Sequence, residues 1–371
     1  MASGHWSRRA IAEARRYGEV AVAGIDGRLI ADGDETNEGD AARGHAIPRG
    51  ERPAPAAFGE GASGSAAPSP ARSGAASSSP ASSRPSAGPD VPWPARCAIE
   101  VPAGRFAYAH FTSNETADGL RFPVWPEVAL PLAADMTSDL LSRPLDWQRL
   151  GLVYAGMQKT VCAPGLALVV VRRSLLGRAL ACTPKVMNYA ALAEADSRLC
   201  TPPVPAVFVA HRMLHWIEAE GGVPVMAARL ARRHALVQAA LAEGNMHGQP
   251  YRQALAPAWR SPVNPCFQLS DVEGCDAFLA AAETAGLRDL GGHPAHGGVR
   301  VSLYHGVRDD AVETLADFLV TFARHRSQGG RGPCASAVRV NAHAAADRAA
   351  ARAAIPTAAA DVPVVKGRDR T

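Results

Sequence analysis

Residues 51–90 read ERPAPAAFGEGASGSAAPSPARSGAASSSPASSRPSAGPD, and Phe58 is their only large apolar side chain. Ordering a backbone residue costs roughly 1–2 kcal/mol, and this stretch has almost no apolar surface to offset it. The composition predicts a disordered low-complexity insertion over 31–97, so any core must be assembled from the segments on either side. Gly59 to Gly64 spell a literal G-x-G-x-x-G. A dinucleotide fingerprint needs a strand before it and a helix after it, and neither is expected here, so the match is chance. A second low-complexity stretch covers 328–371; its Ala/Arg-rich part lacks a sustained apolar stripe, which predicts a solvated tail.

With 39 Lys+Arg against 35 Asp+Glu, the 371-residue chain carries a formal charge of only +4. Such a balance gives no basic face of the kind a nucleic-acid binder uses. The seven cysteines are scattered, with no C-x-x-C pair, which leaves zinc knuckles and thioredoxin-like sites without support and predicts free thiols. The N-terminal residues MASGHWSRRAIAEARRYG carry charge throughout and lack the apolar core of a secretory signal. The longest strongly apolar run, Leu166 to Val171, is too short to span a bilayer. The expectation is a soluble, cytoplasmic protein with no membrane or nucleic-acid partner.

Between the low-complexity stretches the pattern changes. Short apolar runs at 106–111, 128–134, 152–155 and 166–171 have strand length and are bounded by Gly and Pro. Residues 203–220 and 225–243 read as helices, the first closed by Gly221-Gly222. A strand at 266–269, a helix near 275–285, a strand at 299–304 and an amphipathic helix at 312–324 follow. Strands and helices, then a smaller mixed segment, predict an α/β domain with an α+β appendage.

Two residues carry most of the chemistry. Asp135 ends an apolar run in ALPLAADMTSD, and Lys159 directly follows another in LGLVYAGMQKTVCAPGL. An acid and a lysine, each at the C-terminal end of a buried strand, can converge on the ligand side of an open α/β sheet. A pyridoxal phosphate enzyme needs that pair: a lysine to form the Schiff base and a carboxylate to keep the pyridine nitrogen protonated. Spacing alone leaves a plainer reading open, with Lys159 a snorkelling surface residue and Asp135 a helix N-cap.

Four motifs in order narrow the choice. HFTSNETADGL, ADMTSDLLSRPLD, GLVYAGMQKTVCAPGLALVVVRR and TPPVPAVFVAHRMLHWIEAEGG closely resemble the phosphoserine aminotransferase family over about 98–327, with a weaker continuation over 1–25. The resemblance implies a fold-type-I pyridoxal-phosphate transferase: an α/β large domain, mostly parallel sheet with flanking helices, and a small C-terminal α+β domain. Its expected segments are 1–30 and 98–224 for the large domain and 225–327 for the small one. It implies that Lys159 is the Schiff-base lysine and that Asp135 pairs with the pyridinium nitrogen. Thr116 would lie by the ring hydroxyl, with Thr137 and Gln158 on the cofactor phosphate. Thr201 would reach the cofactor of a neighbouring subunit, which implies a homodimer with shared sites. Trp6 matches an aromatic that stacks on the ring; packing on the core is its alternative role. His293 and Arg300 match substrate-binding positions, Arg300 pairing with a carboxylate. The implied reaction is reversible amino transfer between O-phosphoserine with 2-oxoglutarate and 3-phosphohydroxypyruvate with glutamate. Serine biosynthesis is the implied role, with vitamin B6 synthesis as a second.

Several positions depart from the family. Relatives carry a substantial part of the large domain before the position of Trp6, so this sequence reads as truncated, with sheet edges and apolar surface left uncovered. Cys200 stands where the family has Asn, and Pro294 where an Arg follows the histidine, which removes one substrate-phosphate contact. The alternative function is accordingly an inactive remnant or a partner-binding fragment of the same ancestry. A cysteine desulfurase is disfavoured because Cys162 and Cys200 lack a sulfur-relay context. Cys162 reads as a small packing residue. His211 and His215, four apart on a helix, lack a third ligand and read as structural or surface histidines. The Asn114-Glu115-Thr116 sequon carries no meaning in a cytosolic protein.

Overall fold

The computed structural model describes residues 1–26, 28–30, 96–101, 104–161, 163–248 and 250–329. Most of the expected insertion and tail, the 59–64 glycine pattern and Cys162 lie outside the described residues. The insertion does not extend to 97, however. Cys97 is buried, and its carbonyl accepts from the Glu127 amide at 2.7 Å. A lone cysteine in a polar context reads as part of the linker, yet its small thiol fits the core.

The elements run in order α1 (His5–Ala14), β1 (Val22–Ala23), β2 (Leu29–Ile30), β3 (Ala109–Thr112), β4 (Asn114–Glu115), β5 (Leu120–Arg121), β6 (Leu132–Asp135), β7 (Leu150–Gly156), β8 (Ala167–Val171), α2 (Tyr189–Glu194), α3 (Val204–Ala219), α4 (Gly222–Asn245), β9 (Tyr251–Arg252), β10 (Cys266–Leu269), α5 (Val272–Thr284), β11 (Val299–Arg300) and α6 (Asp309–Ser327). The expected runs are thus present with shifted ends. Gly221 and Gly222 both adopt positive φ, and Gly222 already opens α4. Only 299–300 of the expected 299–304 strand forms a ladder; beyond it, Val301 and Leu303 donate instead to the carbonyls of Pro265 and Val263.

The described residues form two compact units. The first draws on 1–231, 253–268 and 291–306, the second on 232–252, 269–290 and 307–329. The sequence reading assigns everything from 225 to 327 to a small domain. Here His293 and Arg300 belong to the first unit, because 253–268 and 291–306 return to it.

The first unit is organised by a four-stranded sheet in the order β3-β6-β7-β8. The β3, β6 and β7 strands run parallel, and β8 pairs antiparallel with β7. The parallel strands are buried along most of their length, as expected where both sheet faces are covered. Phe111 packs edge-on against Phe122 at 5.5 Å and lies 5.7 Å from Trp125, while Phe122 meets Trp259 at 5.4 Å. Burying each such ring stabilises by roughly 1.5–3 kcal/mol, so this cluster fixes the segment that follows β3. Behind β6, Asp139 is fully buried between Arg121 at 3.1 Å and Arg143 at 2.8 Å. Burial opposes its charge, but the two guanidinium groups outweigh that and hold its carboxyl below the ordinary range.

In the second unit α6 buries Leu315, Phe318, Leu319 and Phe322, a stripe at helical spacing. Phe318 and Phe322 lie 5.2 and 5.1 Å from Phe278 of α5. The Tyr251 hydroxyl, buried beside them, donates to the Leu319 carbonyl.

Candidate active site

The site begins with a short hairpin. The β4 and β5 strands pair antiparallel, joined by Thr116-Ala117-Asp118-Gly119, with Gly119 at φ +71° closing the turn. The hairpin projects Glu115, Thr116 and Asp118 toward the start of α1. A helix leaves its first amides without internal partners, and its N-terminus favours negative charge. Here both needs are met by carboxylates from the hairpin. Asp118 accepts from the His5 amide at 2.9 Å, and Glu115 accepts from the amides of Trp6 and Ser7 at 2.8 Å each. The Ser7 hydroxyl turns back on Gly4, accepting from its amide at 2.9 Å and donating to its carbonyl at 3.0 Å. A Cβ on Gly4 would stand 2.8 Å from the Glu115 carboxyl carbon, so only glycine permits this approach. Glu115 is fully buried, and burial pushes its carboxyl above the ordinary value against the hydrogen bonds it accepts.

The clamp presents Trp6. Its indole Nε1 donates to Thr116 Oγ1 at 3.0 Å, and Lys159 Nζ approaches the same oxygen at 3.4 Å. Lys159 Nζ also lies 5.4 Å from the Trp6 ring centroid. Lys159 is half-buried just beyond β7, and desolvation lowers its pKa. Asp135 and Glu115 oppose that shift, while Arg300 adds to it. The ammonium therefore loses its proton more readily than an exposed lysine, as a nucleophile or base requires.

Asp135 ends β6 in register with Tyr154 of β7. Its Oδ1 accepts from both the amide and the hydroxyl of Thr137, at 2.9 and 2.7 Å. Thr137 Oγ1 in turn accepts from the Gly156 amide at 3.2 Å. The hydroxyl that the sequence reading reserves for a phosphate thus steadies the carboxylate. Gln158 folds its amide back over Gly156, where a Cβ would stand 2.5 Å from Oε1.

A buried amide network brings in the C-terminal part of the unit. The Asn114 amide donates to Ser138 Oγ at 2.9 Å and to Asn264 Oδ1 at 3.0 Å. Asn264 Nδ2 donates to Ser302 Oγ at 3.2 Å. This anchors the segment beside Arg300, whose Nε is buried without a hydrogen-bond partner among the described residues. An orphaned guanidinium donor whose charge is felt at Lys159 has the chemistry to receive an anionic ligand group.

Three imidazoles complete the surroundings. His293 lies 4.4 Å from His5 and 5.9 Å from Trp6 between ring centroids, and His296 lies 6.2 Å from both other histidines. His296 Nε2 is 3.3 Å from Asp118 Oδ1. Burial lowers the pKa of His5 and His293, with Arg8 and Arg9 adding to the effect at His5 and Arg300 at His293.

Trp6, Thr116, Asp135, Thr137, Gln158, Lys159, His293 and Arg300 therefore gather around the strand ends of one unit. Thr201 does not join them: it stands exposed in the segment leading into α3, beside the exposed Cys200. Glu115, Asp118, His5 and His296 were missed in the sequence. Glu115 and Asp118 sit inside a motif whose threonine draws the attention, and no local spacing links either to a helix more than a hundred residues away. Elsewhere, His211 and His215 meet at 4.4 Å on α3. Among the described residues no three His, Cys, Asp or Glu side chains are grouped to hold a metal ion, and no helix is long and apolar enough to cross a membrane.

The aminotransferase class-V family profile matches residues 103–315. The phosphoserine aminotransferase of Bordetella avium is 41% identical over 224 residues, which are 59% of this chain and 58% of that protein. The one from Pseudomonas aeruginosa is 38% identical over 219 residues, 59% of this chain and 60% of that protein. The solved phosphoserine aminotransferase of Bacillus circulans subsp. alkalophilus superposes with a TM-score of 0.56 at 34% identity, covering 59% of this chain and 60% of that one. The pyridoxal-phosphate-bound enzyme of Trichomonas vaginalis gives 0.54 at 29% identity, over 57% and 60%. The chain spans about 60% of the length of the relatives it matches. Over that span it has their fold, the mostly parallel sheet with flanking helices of the fold-type-I transferases.

Proposed function

Since the chain belongs to the aminotransferase class-V family, we propose that it is a phosphoserine transaminase dependent on pyridoxal phosphate. The reaction is reversible amino transfer between O-phosphoserine with 2-oxoglutarate and 3-phosphohydroxypyruvate with glutamate. The observation that carries this reading is Lys159, half-buried and shifted toward its neutral form beside Thr116 and Trp6, in the same unit as Asp135 and Arg300. Bound pyridoxal phosphate supplies an electron sink for negative charge developing on the substrate's α-carbon.

The residues divide the work. Lys159 Nζ would hold the cofactor and, once released from it by the incoming amine, would take up the substrate's Cα proton and return it. Asp135, steadied by Thr137, would pair with the ring nitrogen of the cofactor. Trp6 would stack on one face of the ring, Thr116 would serve its hydroxyl, and Gln158 would attend the phosphate. Arg300, with its unsatisfied Nε, binds the substrate carboxylate. The imidazoles of His5, His293 and His296 lie on the side of Trp6 and Asp118 and favour an anionic substrate end.

Thr201, exposed and apart from the cluster, suits a homodimer in which one subunit completes the other's site. A cytoplasmic role in serine biosynthesis follows from the substrates, and a related phosphorylated substrate extends it to vitamin B6 synthesis. The test is spectroscopic. Purified chain mixed with pyridoxal phosphate gains a visible absorbance band that Lys159→Ala abolishes and that phosphoserine or glutamate shifts. A wild-type chain that binds no cofactor overturns this reading in favour of a non-catalytic member of the family.

A further inference from the structure

Behind Asp135 lies a pair of residues that the proposed chemistry does not yet use. In the parallel register His110 of β3 faces Ala133 of β6, and Asp135 faces Tyr154 of β7. Side chains alternate along a strand, so His110, Ala133, Asp135 and Tyr154 share one face of the sheet. His110 and Tyr154 belong to strands separated by β6 and meet only because Ala133 fills the gap with a single methyl. Their rings stack at 5.9 Å with 23° between planes, and His110 Nε2 lies 2.9 Å from the Tyr154 hydroxyl.

Two proton arrangements fit this contact. Tyr154 has one hydroxyl proton to give, and its register partner is Asp135, which already accepts from Thr137. The hydroxyl either donates to His110 Nε2 or, with Nε2 itself protonated, turns its proton to Asp135. We propose that His110 and Tyr154 are positioning residues, a relay running His110 Nε2–H to Tyr154 O–H to Asp135. The relay holds the carboxylate aimed at the position where the cofactor's ring nitrogen would lie. The inference rests on the role assigned to Asp135 above.

The surroundings agree with it. Burial holds His110 neutral by lowering its pKa to about 4, and burial with the Asp135 charge raises that of Tyr154. Asp135 and the Met1 amino group face His110, while Asp135, Tyr108 and Tyr189 face Tyr154.

Two measurements test the relay. Nitrogen-15 NMR of the full chain without cofactor reads the His110 tautomer, with Nε2–H expected at neutral pH; an Nδ1–H tautomer overturns the proposal. The second compares affinity for pyridoxal phosphate with that for its analogue carrying C–H in place of the ring nitrogen. Tyr154→Phe and Ala133→Val, the latter leaving all three polar residues in place, each weaken binding of pyridoxal phosphate by roughly tenfold, the size of one lost hydrogen bond. The analogue's affinity stays unchanged. Equal losses for both ligands mark a merely structural pair and overturn the relay. If the wild type binds neither ligand, the functional reading fails and the tautomer alone decides the relay.

Discussion

The β6 and β8 strands lie in the same sheet, yet their fates differ. The β8 sequence ALVVV is the more apolar, but it forms the edge, where Leu168 and Val170 remain 40% and 39% exposed. The β6 sequence LAAD is modest by comparison and is buried through its first three residues. It lies between two parallel neighbours, ends on the candidate catalytic acid, and runs on into the buried Asp139 anchor. Hydrophobicity makes a strand available for burial; the neighbours decide whether burial happens. The α3 helix of the same unit also leaves apolar residues exposed, Val204, Val207, Phe208 and Leu214 among them.

This contrast can be broken by mutation, and the largest effect is expected at Asp139. Asp139→Asn leaves Arg121 and Arg143 facing an uncharged partner in a buried setting, and should cost about 3–5 kcal/mol of unfolding free energy in a denaturant titration. Glu115→Ala follows. It frees two amides at the start of α1 and releases Trp6, and a loss of about 2–3 kcal/mol is expected from the caps alone. Pyridoxal phosphate affinity should fall with it, because the indole no longer stays beside Thr116.

The relay histidine gives a pH effect with a defined sign. His110 binds its proton more weakly when folded, at about 4, than at its ordinary value of 6.5. The unfolded chain therefore takes up the proton first as pH falls. The contribution is complete above about 6.5 and is lost progressively down to about 4, amounting to roughly 3 kcal/mol. His110→Gln should flatten that part of a stability–pH profile measured by urea unfolding. At the other extreme, Val170→Thr on the exposed edge should change stability by less than about 0.5 kcal/mol. A large loss there would mean that the β8 face is covered in solution.

Much of the site was legible before any coordinates. Lys159 and Asp135 stood out because strand ends in α/β sheets converge and because the two residue types are chemically complementary. Helices α3 to α6 announced themselves through apolar spacing, with ends displaced by a few residues. Other features were not legible. Cys97 looked like linker because its core neighbours lie far along the chain. Thr137 was assigned to a phosphate, since nothing in its local sequence says that its hydroxyl turns back to Asp135. The division at 225 failed to anticipate that 253–268 and 291–306 rejoin the first unit, which places Arg300 in the unit that holds Lys159.

The sequence by itself determined the local elements, the chemical types available and the family to which their order belongs, because periodicity, caps and motifs act over a few residues. Only the tertiary structure decided which of those groups meet. Glu115 seats a helix whose first residue lies 110 positions earlier, Asn114 ties down Asn264, and Ala133 lets His110 reach Tyr154 across a strand. These contacts depend on strand register and chain return, which are set by the packing of the whole unit.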